Sequence, residues 1–220
     1  MARLGSLTAQ ARALAKRAYY SKRHGRVLRQ GPASYPRLAL TFDDGPGPLT
    51  NEYLAVLDRY NVPATFFVQG NHLEQHPTAL REYLRRGHQV ASHGYEHEPF
   101  PKQPVRRLHA QLARTDRLIG AQLTGRPWVR PPYGASSMRS VAQLLASGRV
   151  IAMWSFDTLD YQLRTEAELL AHCTEDAVRP GDVVLMHEDQ PWTLAALGTI
   201  IERWRGAGFD FVTMADLFAR

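Results

Sequence analysis

Leu38-Ala39-Leu40-Thr41-Phe42-Asp43-Asp44-Gly45-Pro46 is an apolar run that ends in two adjacent carboxylates and a sharp turn. A short apolar run bounded by turn residues reads as a buried strand. Two neighbouring acids without a counter-charge repel, so one of them tends to stay protonated near neutral pH. Keeping both ionised requires a cation, either a metal or a basic side chain. The chain supplies candidates for both further on: His93 and His97, four residues apart, and Arg130. The stretch therefore points to metal-assisted hydrolysis at a strand end rather than to a structural turn.

Working outward, short β-rich runs alternate with amphipathic segments. The pattern predicts strands at 38–42, 64–68, 88–92, 127–130, 149–155, 183–187 and 209–213. Helices are predicted at 50–60, 77–86, 104–121, 137–147, 166–178, 194–206 and 214–219. Thr165 with Glu168 three residues on reads as a capping box, Gly87 and Gly148 stand where C-caps belong, and Pro180-Gly181-Asp182 marks a turn into a strand. This order is that of an α/β protein with a parallel sheet, and about seven repeats favour barrel-like closure over an open doubly wound sheet. Asp43 and Asp44, His93 and His97, Arg130, Asp157 and Asp160, and His187 all fall at or just past the carboxyl end of an expected strand. In a barrel that gathers them on one rim, where active sites of this architecture lie.

The chain has 220 residues, 44% hydrophobic and 22% charged, enough for one sizeable core and too few for two comfortable α/β domains. Cys173 is the single cysteine, so no intrachain disulfide forms, which is compatible with a reducing compartment. Of the 27 basic residues, nine lie in residues 1–42, which contain none of the 21 acids; residues 43–220 therefore carry −3 of the net +6. The basic character belongs to an N-terminal extension, residues 1–36, ahead of a body at 37–220. Leu4, Leu7, Ala11, Leu14 and Ala18 recur there at helical spacing among Arg and Lys. That pattern offers peripheral contact with an anionic membrane through residues 1–37, or else a solubilising helix. No nucleic-acid recognition motif accompanies the charge. With no secretory signal or membrane-spanning run in view, the chain reads as cytoplasmic, with membrane association through the extension as one of these two alternatives.

Two histidines and one carboxylate make a three-ligand site with positions left for water and substrate. The same set serves zinc hydrolases and non-haem iron oxygenases, so the ligands leave that choice open. The neighbouring groups favour hydrolysis. A second carboxylate beside the ligand can take a proton from water, Arg130 can hold it ionised, and His187 can protonate a leaving nitrogen.

These residues resemble the polysaccharide deacetylases of the NodB-homology type, carbohydrate esterase family 4. Five motifs carry the resemblance in order over residues 37–217: Thr41-Phe42-Asp43-Asp44-Gly45-Pro46, His93-x-x-x-His97, Arg130-Pro131-Pro132-Tyr133-Gly134, Asp157-Thr158-Leu159-Asp160-Tyr161 and Leu185-Met186-His187. The resemblance implies a distorted (β/α) barrel with fewer than eight complete repeats. It implies that Asp44, His93 and His97 bind a divalent metal, usually Zn2+, with Co2+, Ni2+ or Mn2+ as alternatives. Asp43 would be the general base, Arg130 its tether, and His187 the general acid tuned by Asp160. The Tyr133 backbone N–H would stabilise the oxyanion, and Tyr161 and Leu185 would line the pocket for the acetyl methyl.

Three positions depart from the family's habit: Gly94 stands where Ser or Thr is frequent, Tyr161 where Trp is frequent, and Glu98 where many relatives place Pro. None removes an acid, a base or a ligand. Trp128, Trp192 and Trp204 read as core or rim aromatics, with Trp192 bordering the site, and Asp157 either as a group acting in the site or as a cap for its loop. Cys173 reads as a buried apolar residue, and His24, His72, His76, His88, His109 and His172 as structural or exposed. The expected activity is removal of an N-acetyl group from an amino sugar: a chito-oligosaccharide, a glycan precursor or a glycosylated metabolite, ahead of exported peptidoglycan or chitin. The alternatives are an O-acetyl esterase acting on a glycan such as acetylxylan, a non-catalytic glycan binder, and an iron oxygenase.

Overall fold

The computed structural model describes residues 26–120 and 125–219. The expected helix near the N-terminus, and the membrane contact it would make, lie almost wholly outside the described residues. The elements run β1 (Val27–Leu28), β2 (Arg37–Asp43), α1 (Thr50–Arg59), β3 (Thr65–Val68), α2 (Gly70–Gln75), α3 (Ala79–Arg85) and β4 (Gln89–Ser92). They continue with α4 (Val105–Ile119), β5 (Trp128–Val129), α5 (Met138–Ala146), β6 (Val150–Ala152), β7 (Phe156–Asp157) and α6 (Glu166–His172). The chain closes with β8 (Val183–His187), α7 (Pro191–Gly206), β9 (Asp210–Phe211) and α8 (Met214–Leu217).

All paired strands are parallel, in the order β1-β6-β5-β4-β3-β2-β8-β7, with β9 added on β2. This is the expected distorted (β/α) barrel, with two short strands beyond the seven. The first, β1, comes from the stretch assigned to the basic extension. Its pairing with β6 brings residues 27–28 into the sheet, ahead of the expected boundary at 36/37. The second arises because the expected strand 149–155 bends. Met153 N–H still donates to Leu28 O at 2.7 Å, whereas Ser155 N–H donates to Val183 O at 3.0 Å. One segment thus leaves β1 and joins β8, and the ladder returns on itself without a full β6–β8 pairing. The antiparallel bridge Gln30↔Asp182 straps the same seam.

The two faces of β2 show how the sequence builds the barrel. Leu38, Leu40 and Phe42 point outward into a core shared with Tyr53, Leu54 and Leu57 of α1, Tyr83 of α3 and Leu197, Ile201 and Trp204 of α7. Ala39 points the other way and joins Phe67, Ala91, Ala152, Val183, Met214 and Leu217. Residues from five strands meet in one cluster only inside the curve of the sheet, and α8 plugs its lower end. Along that inner face Ala39 is followed by Thr41 and then Asp43, since alternate residues of a strand share a face. Asp43 is therefore delivered to the top of the barrel interior by register alone.

The helices carry the expected end signals. Thr165 accepts from Glu168 N–H at 3.2 Å, one half of the expected capping box, while the Glu168 carboxylate reaches past the cap to Arg164 N–H at 3.1 Å. Gly87 and Gly148 follow α3 and α5 with φ of 79° and 82°. Expected helix 166–178 is divided: α6 stops at His172, and a separate turn of 3-10 helix covers Glu175–Ala177. Cys173 is buried, and Trp204 donates its indole N–H to Thr174 O at 2.9 Å across this break. Among the described residues no helix is long and apolar enough to cross a membrane.

Candidate active site

Asp43 and His187 end β2 and β8 and are register partners in that ladder. Neighbouring strands lie about 4.8 Å apart, so the two side chains emerge next to each other at the rim. Beneath them Arg130, fully buried, donates from Nη1 to Asp43 Oδ1 at 2.7 Å and to Thr41 Oγ1 at 2.8 Å. Thr41 in turn donates to Val184 O at 2.6 Å, and the Phe67 ring lies 4.0 Å from the guanidinium carbon. Burial pushes the Asp43 carboxyl above the ordinary carboxylate range, while Arg130 and then His187 pull it back. Asp43 is thus a carboxylate kept oriented and more basic than one in water.

His187 is held by Asp160, which is fully buried. Its Nδ1 lies 2.6 Å from Asp160 Oδ1, and its backbone N–H donates to Oδ2 at 2.7 Å. Thr193 donates to the same Oδ2 at 3.0 Å, and Trp192 Nε1–H donates to Asp160 O at 2.7 Å. A carboxylate only accepts, so Nδ1 carries a proton and Nε2 is the ring atom left for chemistry. Burial alone would lower the imidazole's pKa; the Asp160 hydrogen bond and charge, with Asp43 and Asp44 beyond, outweigh it and lift the group to about 9. At neutral pH His187 is an imidazolium able to give up a proton.

The third cluster comes from the turns after β2 and β4. His97 Nε2 lies 3.2 Å from Asp44 Oδ1 and 3.2 Å from His93 Nε2, and His93 Nε2 lies 3.7 Å from the same oxygen. His93 Nδ1 is 3.0 Å from Arg130 O, a pure acceptor, so it carries the ring proton and Nε2 presents a lone pair. Burial holds this imidazole neutral, pushing its pKa to about 3. A neutral nitrogen, a second imidazole and a carboxylate oxygen converge, each within 4.8 Å of the others. A tetrahedral ion with ligands at about 2.0–2.1 Å sets its donors about 3.3–3.4 Å apart. The donor set and its spacing fit a divalent metal.

Around this centre stand the remaining expected residues. Tyr133 sits in a single 3-10 turn, Pro132–Gly134, with a left-handed φ of 59°. Its ring is 69% exposed and packs 4.4 Å from the His97 ring. Tyr161 is 44% exposed and meets His187 edge-on at 5.5 Å. Leu185 is buried on β8, opposite Thr41 on one side and Asp157 on the other. Asp157 caps its own loop, accepting from Leu159 N–H at 2.9 Å. Gly94 has φ of 87°, where a side chain is strained, and the histidine loop is braced from elsewhere: Gly94 N–H donates to Ser92 Oγ at 3.2 Å. Glu98 pairs with Arg107, which also holds Glu96, so two exposed ion pairs flank His97.

Three residues at the site escaped the sequence reading. Gln69 donates from Nε2 to Asp44 Oδ1 at 2.9 Å. His72, read from sequence as structural or exposed, places Nδ1 2.9 Å from Asp44 O. Glu188 is buried directly after His187 and accepts from Thr50 at 2.5 Å and from Tyr83 at 2.7 and 2.9 Å. Burial lifts its carboxyl to about 7. It packs so closely on Gly45 that a Cβ there would collide with Oε2. The acidic residue after His187 was visible in sequence; its burial was not.

A parallel (β/α) barrel bearing a two-histidine, one-carboxylate centre beside a carboxylate–arginine pair and a histidine–aspartate pair defines a class of rim-sited enzyme-like folds. Comparison with known proteins makes it specific: residues 30–150 match the polysaccharide deacetylase family, and the chain belongs to that family. It is 36% identical over 188 residues to the peptidoglycan-N-acetylglucosamine deacetylase PgdA of Listeria monocytogenes, covering 83% of this chain but 39% of that protein. It is 32% identical over 200 residues to the chitooligosaccharide deacetylase of Sinorhizobium fredii, covering 83% of this chain and 92% of that one. The crystal structure of the Bc1960 peptidoglycan N-acetylglucosamine deacetylase superposes with a TM-score of 0.79 at 28% identity, over 86% of this chain and 91% of that one.

Proposed function

We propose that the protein hydrolyses the N-acetyl group of an N-acetylglucosamine-containing glycan, releasing acetate and a free amine. The observation that carries the reading is the register pairing of Asp43 with His187, a tethered carboxylate and a charged imidazole side by side above Asp44, His93 and His97. Asp43, held by Arg130, takes a proton from the attacking water. The Tyr133 backbone N–H donates to the oxygen that becomes negative when the carbonyl carbon turns tetrahedral. His187 then passes its Nε2 proton to the departing nitrogen, and Asp160 keeps the ring aligned as its charge falls. A divalent ion held by Asp44, His93 and His97, zinc by preference for this donor set, supplies Lewis-acid polarisation of the acetyl carbonyl. Tyr161 and Leu185 bound the space for the methyl group.

The substrate class rests on the names of the relatives. One relative is named for N-acetylglucosamine of peptidoglycan and another for chitooligosaccharides. Both are amides of the same amino sugar, which favours N- over O-deacetylation. The alternative of a glycan binder without turnover predicts a missing ligand, base or acid, and the residues proposed for those roles, Asp44, His93, His97, Asp43 and His187, are all present in the sequence. The test is acetate release by the zinc-loaded full chain from chito-oligosaccharides, peptidoglycan fragments and acetylxylan. Turnover of the first two is expected. Release from acetylxylan alone would reassign the enzyme as an O-acetyl esterase. Oxygen consumption by an iron-loaded preparation without acetate release would replace hydrolysis with oxidation.

A further inference from the structure

We infer that Gln69 is a positioning residue for Asp44, setting the carboxylate oxygen that faces the two histidines, and that α2 is the brace joining the two ligand-bearing turns. The inference rests on the reading of Asp44, His93 and His97 as metal ligands. Gln69 is 7% exposed, and its Nε2 donates at 2.9 Å to Asp44 Oδ1. That oxygen is the one 3.2 Å from His97 Nε2 and 3.7 Å from His93 Nε2. A carboxylate offers only acceptors, so the amide must present its NH2 group here. The donor fixes the carboxylate's rotation and leaves its remaining lone pair aimed at the histidines, as hydrogen-bond partners of metal ligands do elsewhere.

The backbone around Gln69 does the same for both turns. Gln69 N–H donates to Gly45 O at 2.9 Å, and His72 Nδ1–H to Asp44 O at 2.9 Å. Gly70 N–H donates to Gly94 O at 3.0 Å, and Asn71 N–H to Tyr95 O at 3.2 Å. Four consecutive residues thus tie the Asp44 turn to the turn between His93 and His97. The brace has a task, because Asp44 and His97 both hold left-handed backbone, at φ of 72° and 52°. Such conformations persist in non-glycine residues only where the surroundings over-determine them.

The test is zinc affinity of the full chain, measured by competition with a fluorescent chelator, so that no turnover enters the readout. Gln69→Leu should bind zinc about 10- to 100-fold more weakly than wild type, the range for loss of a ligand's hydrogen-bond partner. At saturating zinc its kcat should fall with KM for the glycan unchanged. Gln69→Met, unbranched and of similar length, carries the same expectation if the leucine variant does not fold. Glu74→Gln is the control: Glu74 anchors α2 to Tyr95 and Arg114 without touching Asp44. It should keep wild-type affinity. Wild-type affinity in the Gln69 variants overturns the inference, and so does an equal loss in Glu74→Gln, which would make the effect one of helix docking. Wild-type affinity in Asp44→Ala would instead overturn the ligand reading beneath it.

Discussion

The half of the rim bearing Asp44, His93 and His97 and the half bearing His187 and Asp160 are held by opposite means. In the second, donors and acceptors are matched within the protein: Asp160 takes both the ring and the backbone N–H of His187, with Thr193 and Trp192 completing the set. In the first, two imidazole nitrogens and a carboxylate oxygen meet at 3.2 to 3.7 Å, with Gln69 Nε2 donating to that oxygen. The His187 half is matched within the protein, whereas the Asp44 half gathers a donor set that fits a divalent cation.

The largest effects should come from breaking the half proposed to hold the cation. Stripping the metal with a chelator should reduce acetate release to background, and zinc should restore it. Zinc at about 100 times its dissociation constant should raise the unfolding free energy by about 2.7 kcal/mol, read from denaturant curves. Asp44→Ala should lose both the activity and the zinc-dependent shift. His187→Ala should keep that shift in full, since His187 is not among the converging donors. A His187→Ala protein that no longer responds to zinc would dissolve the distinction between the halves.

Next in size is loss of a proton-transfer group. Asp43→Ala and His187→Ala should each lower kcat by about 10²- to 10⁴-fold, the usual contribution of general acid–base catalysis. Arg130 constrains the first result. Removing Asp43 leaves a buried guanidinium with one fewer acceptor, so Asp43→Asn is the variant that separates lost chemistry from lost stability.

Asp160→Asn should act more gently on rate and more visibly on pH. His187 is lifted to about 9, well above the ~6.5 of an unperturbed imidazole. A raised folded-state value means that the stabilising contribution is fully present below about 6.5 and is lost as pH rises through about 9. Activity that needs the imidazolium should therefore fade on the same alkaline limb. In Asp160→Asn the main lifting partner is gone and burial pulls the other way. The limb should move to the acid side of about 7, with kcat at pH 7 down roughly 10- to 100-fold. An unmoved limb in the pH–kcat profile would show that another group donates the proton.

Both halves of the rim are largely legible in the amino-acid sequence, and what holds them in place is not. Polar residues at the ends of apolar strands are conspicuous, because a parallel strand buried on both faces has little other use for them. That marked Asp43, Asp44, His93, Arg130 and His187. The braces were hidden for physical reasons. Helix α2 opens with Gly70 and Asn71, has six residues, and buries only Gly70 and Leu73, so it lacks both propensity and periodicity. The break between β6 and β7 falls inside an uninterrupted β-rich run, and what bends it is the change of partner from Leu28 to Val183. Strand β1 is two residues long within a basic segment. Glu188 is buried by Tyr83 and Thr50, 105 and 138 residues away, distances at which periodicity carries no signal.

The smallest expected effect falls where substrate enters, on the two exposed tyrosines that border opposite halves. Tyr133 rests on His97 and Tyr161 on His187. The Tyr161 hydroxyl makes a long contact to Asp157, 3.4 Å, and also meets the Gln162 side chain. Removing it should leave the acid half intact, so Tyr161→Phe should keep kcat/KM for the acetyl substrate within about threefold, as expected for a weak exposed hydrogen bond. Tyr161→Trp changes shape instead of polarity beside the space proposed for the methyl group. It should alter the ratio of acetyl to propionyl turnover by about tenfold or more, since one methylene in an apolar pocket is worth about 10- to 200-fold. A hundredfold loss in Tyr161→Phe would place the hydroxyl in the reaction itself and make the acid half depend on a group that the Asp160 network does not hold.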